Sequence, residues 1–183
     1  EDILHRSGKN NWTVIRPYIT YSEIRLQLGV LEKELWLYRA LNGRTIVFSK
    51  DIAEKSTTLT YGYDVALGIA SIIGKETAFG EAFHITSDES YTWKEILEIY
   101  LDTIEKKTGM RPKVLLLDKS PHLEWIGAKW QVILDRYYNR RFDNSKIQQY
   151  IDTSQFVRTE SGLISCLESF LCHPQFKKMG WGI

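Results

Sequence analysis

Trp12-Thr13-Val14-Ile15-Arg16-Pro17-Tyr18-Ile19-Thr20-Tyr21 decides how this chain folds. Thr13, Val14 and Ile15 are β-branched in succession, with none of the polar alternation of a half-exposed strand. That pattern predicts a strand covered on both faces in a parallel sheet. Pro17 has no N–H to donate, so pairing in a central strand ends at about Arg16. In open α/β sheets ligands lie just beyond such carboxyl ends. Residues 18–21 are therefore the first candidate for a binding surface. On spacing alone, a core strand with a tight exit is the simpler reading.

Outward from this stretch, short strands alternate with helices. Residues 1–8 read as the last turns of a helix stopped by Gly8, which sets the expectation that polypeptide precedes residue 1. Apolar residues at helical spacing fill 31–41, with Asn42-Gly43 as the stop. Residues 44–49 read as a strand, 50–56 as an exposed polar loop, and 57–60 as an extended threonine-rich run. Asp64 stands at the start of a helix over 65–73 closed by Gly74. Gly68, Ala66 and Ala70 on that helix suggest a close neighbour. A strand follows at 82–86.

Thr92-Trp93-Lys94-Glu95 is a capping box. Behind it Trp93, Ile96, Leu97, Tyr100, Leu101 and Ile104 form a stripe of 3.6-residue period, ended by Lys106, Lys107 and Gly109. Residues 113–118 read as a strand. Residues 122–138 read as a helix with Ile126, Trp130, Ile133, Leu134 and Tyr137 inward. Short and long helices follow at 146–150 and 160–171. The alternation defines an α/β class.

The 183 residues carry a net charge of +1, 43% apolar and 26% charged residues. This is the composition of a globular protein, and the near-neutral charge gives no overall pull toward nucleic acid or acidic membranes. No apolar run approaches the roughly 18 residues that span a bilayer. Cys166 and Cys172, six apart on a helix, face different sides, so no disulfide joins them; such usage suits a reducing cytoplasm.

The usual catalytic patterns are absent from the sequence. His5, His84, His122 and His173 lack metal-ligand spacing, so no metal is expected. There is no G-x-S-x-G elbow, no P-loop and no G-x-G-x-x-G. His84, inside a short apolar strand, reads as a hydrogen-bonded core residue. Asp88-Glu89 reads as a solvated turn or a cap.

The order of motifs carries more. Trp-Thr-Val-Ile-Arg-Pro-Tyr at 12–18, Thr-Leu-Thr-Tyr-Gly-Tyr-Asp-Val-Ala-Leu-Gly at 58–68, Gly-Glu-Ala-Phe-His-Ile-Thr at 80–86 and Phe-Asp-Asn-Ser-Lys-Ile at 142–147 occur in sequence. Together they resemble the C-terminal half of the extended short-chain dehydrogenase/reductases, the NAD-dependent epimerase/dehydratase family. The resemblance implies late strands of a Rossmann-like parallel sheet plus a smaller substrate-binding domain. Residues 1–30 would hold the end of the catalytic helix, a late Rossmann strand and the ligand loop, and 31–183 mainly the substrate domain. The family's glycine-rich fingerprint and its Tyr-x-x-x-Lys would lie upstream of Glu1. No tyrosine here is followed four residues later by lysine.

By the same resemblance the parent binds NAD or NADP, which this portion alone would not retain, and turns over a sugar nucleotide or a related hydroxyl or carbonyl compound. Pro17, Tyr18 and Ile19 would approach the nicotinamide. Thr20, Tyr21, Arg25 and Tyr61 would face substrate, Tyr61 taking the place of the family's usual histidine. The partners implied are the missing N-terminal half and, for the parent, a second copy. An alternative is an RNA-binding or non-catalytic regulatory member, suggested by the basic and aromatic residues Lys129, Trp130, Arg136, Tyr137, Tyr138, Arg140 and Arg141.

Overall fold

A computed structural model describes residues 1–120 and 127–177. The β-branched run forms strand β1 (Thr13–Arg16), paired in parallel with β6 (Glu81–His84) so that Arg16 stands opposite His84. Thr13, Val14 and Ile15 are only half-buried, because among the described residues β1 has a strand on one edge alone. Its apolar composition suits a more enclosed position than it has here.

Pro17 ends β1, but the extended chain resumes at once. Residues 18–21, read above as a loop, contain β2 (Ile19–Tyr21), parallel to β5 (Leu59–Tyr61). The reason lies in alternation: Ile19 and Tyr21 point into the core while Thr20 stays half-exposed, the period of a strand. Strand β3 (Ile46–Ser49) pairs in parallel with β8 (Val114–Leu117), and β4 (Ser56–Thr57) pairs antiparallel with β7 (Tyr91–Thr92).

Among the described residues the α-helices of more than one turn are α1 (Asp2–Arg6), α2 (Lys33–Leu41), α3 (Lys50–Ala53), α4 (Gly62–Ile72), α5 (Trp93–Thr108) and α6 (Thr159–Cys172). The capping box forms as expected, with Glu95 N–H donating to Thr92 Oγ1 and Thr92 N–H to the Glu95 carboxylate. All six members of the α5 stripe are buried, and the helix lies along α6. Trp36 stacks on Tyr100 at 4.6 Å between ring centres inside the same core. A second cluster, with Val65, Ile72, Phe83, Ile85, Ile147 and Phe156, joins α4 to β6.

Several expectations are corrected. The polar stretch 50–56 is no exposed loop: it contains α3, whose Ile52 and Ala53 are buried. Of the three small residues on α4 only Gly68 meets a neighbour, a Cβ there falling 2.6 Å from Ile85 Cγ2, while Ala66 and Ala70 are exposed. Asp64 stands in the first turn of α4, as read, and its carboxylate also accepts the Val157 N–H at 2.8 Å. Residues 147–149 form a single 3₁₀ turn.

The helix read over 122–138 changes most. Its first part, with His122 and Ile126, lies outside the described residues. From Lys129 the chain makes a short α turn and then a π turn, Val132–Arg136, with Tyr137 N–H donating to Val132 O. The wider turn rotates the inward face, so Val132 and Arg136 are buried while Trp130 and Leu134 point outward.

Candidate functional site

The two parallel pairs β1–β6 and β2–β5 follow one another along the chain, and the candidate residues cluster at their carboxyl ends. At the first end, the Tyr18 hydroxyl donates to both oxygens of Asp135, at 2.7 and 2.8 Å. Asp135 also accepts from Arg140 Nε at 2.8 Å and from the Arg136 guanidinium. Arg136, buried in the π turn, donates its Nε proton to Gly29 O at 3.0 Å. Burial pushes the Tyr18 phenol above its ordinary pKa and pulls the Arg136 guanidinium below its own. One carboxylate thus serves two guanidiniums and a phenol, leaving one formal positive charge in a partly enclosed place.

The Tyr18 ring lies 4.7 Å from Phe142, and Phe142 lies 5.1 Å from His84. His84 is not the satisfied core residue its strand context suggests. Its Nδ1 is buried and has no hydrogen-bond partner. A buried polar atom left unpaired is costly.

At the second end, the Tyr61 hydroxyl donates to Glu23 at 2.8 Å, and this carboxylate pushes the Tyr61 pKa up to about 12. Arg25 is exposed; its Nη1 is 3.5 Å from Thr20 Oγ1 and its Nη2 pairs with Glu32 at 3.2 Å. The structure therefore brings Tyr61 and Glu23 together, and separately sets Arg25 between Thr20 and Glu32. Pro17 is exposed and Tyr18 half-buried.

Two assigned residues change role. Ile19 and Tyr21 are 6% and 2% exposed. Tyr21 packs against Tyr61 at 5.6 Å and against Gly162 of α6, so its side chain supports the wall and does not face outward. Conversely, Asp135, Phe142 and His84 complete the cluster without having been singled out as ligand-facing, and Arg136, read only as part of a basic and aromatic run, turns inward to join them. Asp135-Arg136 sat inside a run read as an apolar stripe, and only the π turn brings it under Tyr18. No group of three or more His, Cys, Asp or Glu residues able to hold a metal occurs among the described residues.

No protein-family model matches this sequence, and neither does any curated protein. Solved structures do match. UDP-glucuronic acid 4-epimerase from Bacillus cereus, in complex with UDP-glucuronic acid and NAD, superposes with a TM-score of 0.61 at 18% identity over 87% of this chain and 45% of its own. UDP-glucose 4-epimerase from Thermotoga maritima gives 0.59 at 18% over 87% and 46%. Pal from Bacillus thuringiensis gives 0.65 at 14% over 93% and 50%. The fold is that of the NAD-dependent epimerases. At these identities the likeness is one of fold, and the chain spans about half the length of the structures it matches. It extends the α/β class read from the alternation to a partial Rossmann-like architecture.

Proposed function

We propose that this chain is the substrate-binding portion of an NAD(P)-dependent epimerase, dehydratase or reductase of the extended short-chain type, acting on a sugar nucleotide or a related hydroxyl or carbonyl compound. The observation that carries the reading is the epimerase fold with polar and aromatic groups gathered at the carboxyl ends of β1 and β6, where open α/β sheets bind ligands. The residues present suit the nicotinamide end of a cofactor only. Pro17 and Tyr18 offer a fixed wall, and His84 Nδ1 offers an unpaired polar atom. The sequence has no glycine-rich turn for a pyrophosphate. That turn and the Tyr-x-x-x-Lys pair belong, on this reading, to polypeptide beyond this chain, so the chain by itself is catalytically incomplete and does not retain the cofactor.

The bound cofactor would accept and return hydride. The residues here do the rest on the substrate side. Tyr18 is held by Asp135 with its proton directed inward, which makes it a positioning wall and not an acid. Thr20, Arg25 and Tyr61 line the approach, Arg25 supplying a cation for a phosphate, while Ile19 and Tyr21 hold that wall from behind. Residues 1–30 contribute the ligand loop and 31–183 mainly the substrate domain.

Transient oxidation of a sugar reduces bound NAD⁺ or NADP⁺, and the reduced nicotinamide fluoresces. Adding UDP-, GDP- or dTDP-hexoses to the cofactor-loaded full-length protein is expected to raise that fluorescence for at least one of them. No rise with any would overturn the substrate class.

A further inference from the structure

The segment 129–141 carries aromatic and basic residues that the site uses only in part. Its inner side is settled by Val132 and Arg136, four residues apart and both buried. At the same spacing between and beyond them, Trp130, Leu134 and Tyr138 are 64%, 61% and 55% exposed. The π turn at Val132–Arg136, following the α turn at Lys129–Gln131, raises the residues per turn above 3.6 over this stretch, so residues four apart stay aligned. The result is a ridge of three large side chains facing out.

Its charges are of one sign. Lys129 Nζ lies 5.3 Å from the centre of the Trp130 ring, and the Arg140 guanidinium lies 5.3 Å from that of Tyr138. Arg141 is exposed next to them. Asp135, the one carboxylate in the segment, turns inward to Tyr18, Arg136 and Arg140. The net charge of +1 for the whole chain averages this local excess away.

We propose that this ridge seats the protein on an anionic membrane surface. Trp130, Leu134 and Tyr138 enter the headgroup layer, and Lys129 and Arg141 meet the lipid phosphates. Surface-lying helical segments bind in this way, with an apolar face of Trp, Phe or Leu and a Lys/Arg flank, and the phenol and indole keep their polar tips at the headgroups. A nucleic acid fits less well. Leu134, at the centre of the ridge, offers no ring for a base to stack on. No described helix is long and apolar enough to cross a bilayer, so the contact lies on the surface.

The test is co-sedimentation of the full-length protein with vesicles of phosphatidylcholine alone and of phosphatidylcholine mixed with phosphatidylglycerol. Binding is expected only to the anionic mixture, falling as salt is raised. The double substitution Trp130→Ala/Leu134→Ala should lower the partition constant about tenfold or more. Both side chains are exposed and outside the cofactor wall, so circular dichroism and nicotinamide-cofactor affinity should not change. Failure to bind anionic vesicles, or equal binding by the double variant, would overturn the proposal. So would binding to a single-stranded RNA oligonucleotide that the double variant loses while vesicles go unbound. None of these outcomes depends on whether the cofactor binds.

Discussion

Single residues show where local rules are overruled by contact. Gly162 lies within α6, where alanine is ordinarily favoured by up to about 1 kcal/mol. A Cβ there would run into the Tyr21 hydroxyl and stand 2.9 Å from Val157 Cγ1, and Tyr21 is too deeply buried to move aside. Overpacking of this kind costs about 1–3 kcal/mol, so Gly162→Ala is expected to lower stability in a urea titration despite the gain in helix propensity. A more stable variant would show that Tyr21 is not fixed against α6. Asp135 sets a larger stake, since Asp135→Ala leaves the Arg136 guanidinium buried without its carboxylate. Breaking such a pair costs about 3–5 kcal/mol, and the same titration measures it.

Asp64 adds a pH dependence with a definite sign. Burial raises its pKa above the usual aspartate value, the Val157 amide opposing the shift. The folded state therefore binds this proton more tightly than the unfolded state. Its contribution to stability is most favourable below the unfolded pKa and is lost as pH rises through the raised folded value. Asp64→Asn keeps an acceptor for Val157 N–H and removes the titration. Its stability relative to the parent chain should therefore increase as pH is raised from about 4. A pH-independent difference would contradict the assignment.

Elements were legible where one local rule governs them. The capping box and stripe of α5 were readable residue by residue because helix start, period and stop agree. Thr92→Ala is expected to cost about 1 kcal/mol in thermal unfolding, through loss of the cap alone. β1 was legible for the same reason, its β-branched run ending at proline. β2 was not, because three residues between a proline and a turn carry too little pattern; its partner β5 lies 40 residues on, in register Ile19 with Leu59. The segment 129–138 misled for another reason. Its apolar residues can be placed on a 3.6-residue helix, yet the π turn sends Trp130 and Leu134 outward and buries Val132 and Arg136, while Tyr137 stays against the core as read. The candidate site inherited that error: Tyr18 was visible in the sequence as a loop residue, but Asp135 and Arg136, over a hundred residues away, reach it only through the turn.

The whole molecule carries an epimerase fold with an incomplete set of chemical groups. β1 is composed for a more enclosed place than it occupies, the wall at its carboxyl end has an unpaired His84 Nδ1, and the sequence has neither a Tyr-x-x-x-Lys pattern nor a glycine-rich phosphate turn. On the reading proposed above, this chain supplies the substrate side of a nicotinamide-dependent enzyme. Calorimetric titration of the full-length protein with NAD⁺ and with NADP⁺ tests that claim most directly. The account predicts saturable, one-to-one binding of at least one of them, weakened when His84→Ala or Tyr18→Ala alters the wall at the nicotinamide end. Absence of heat with both cofactors, from a protein shown to be folded, would contradict it.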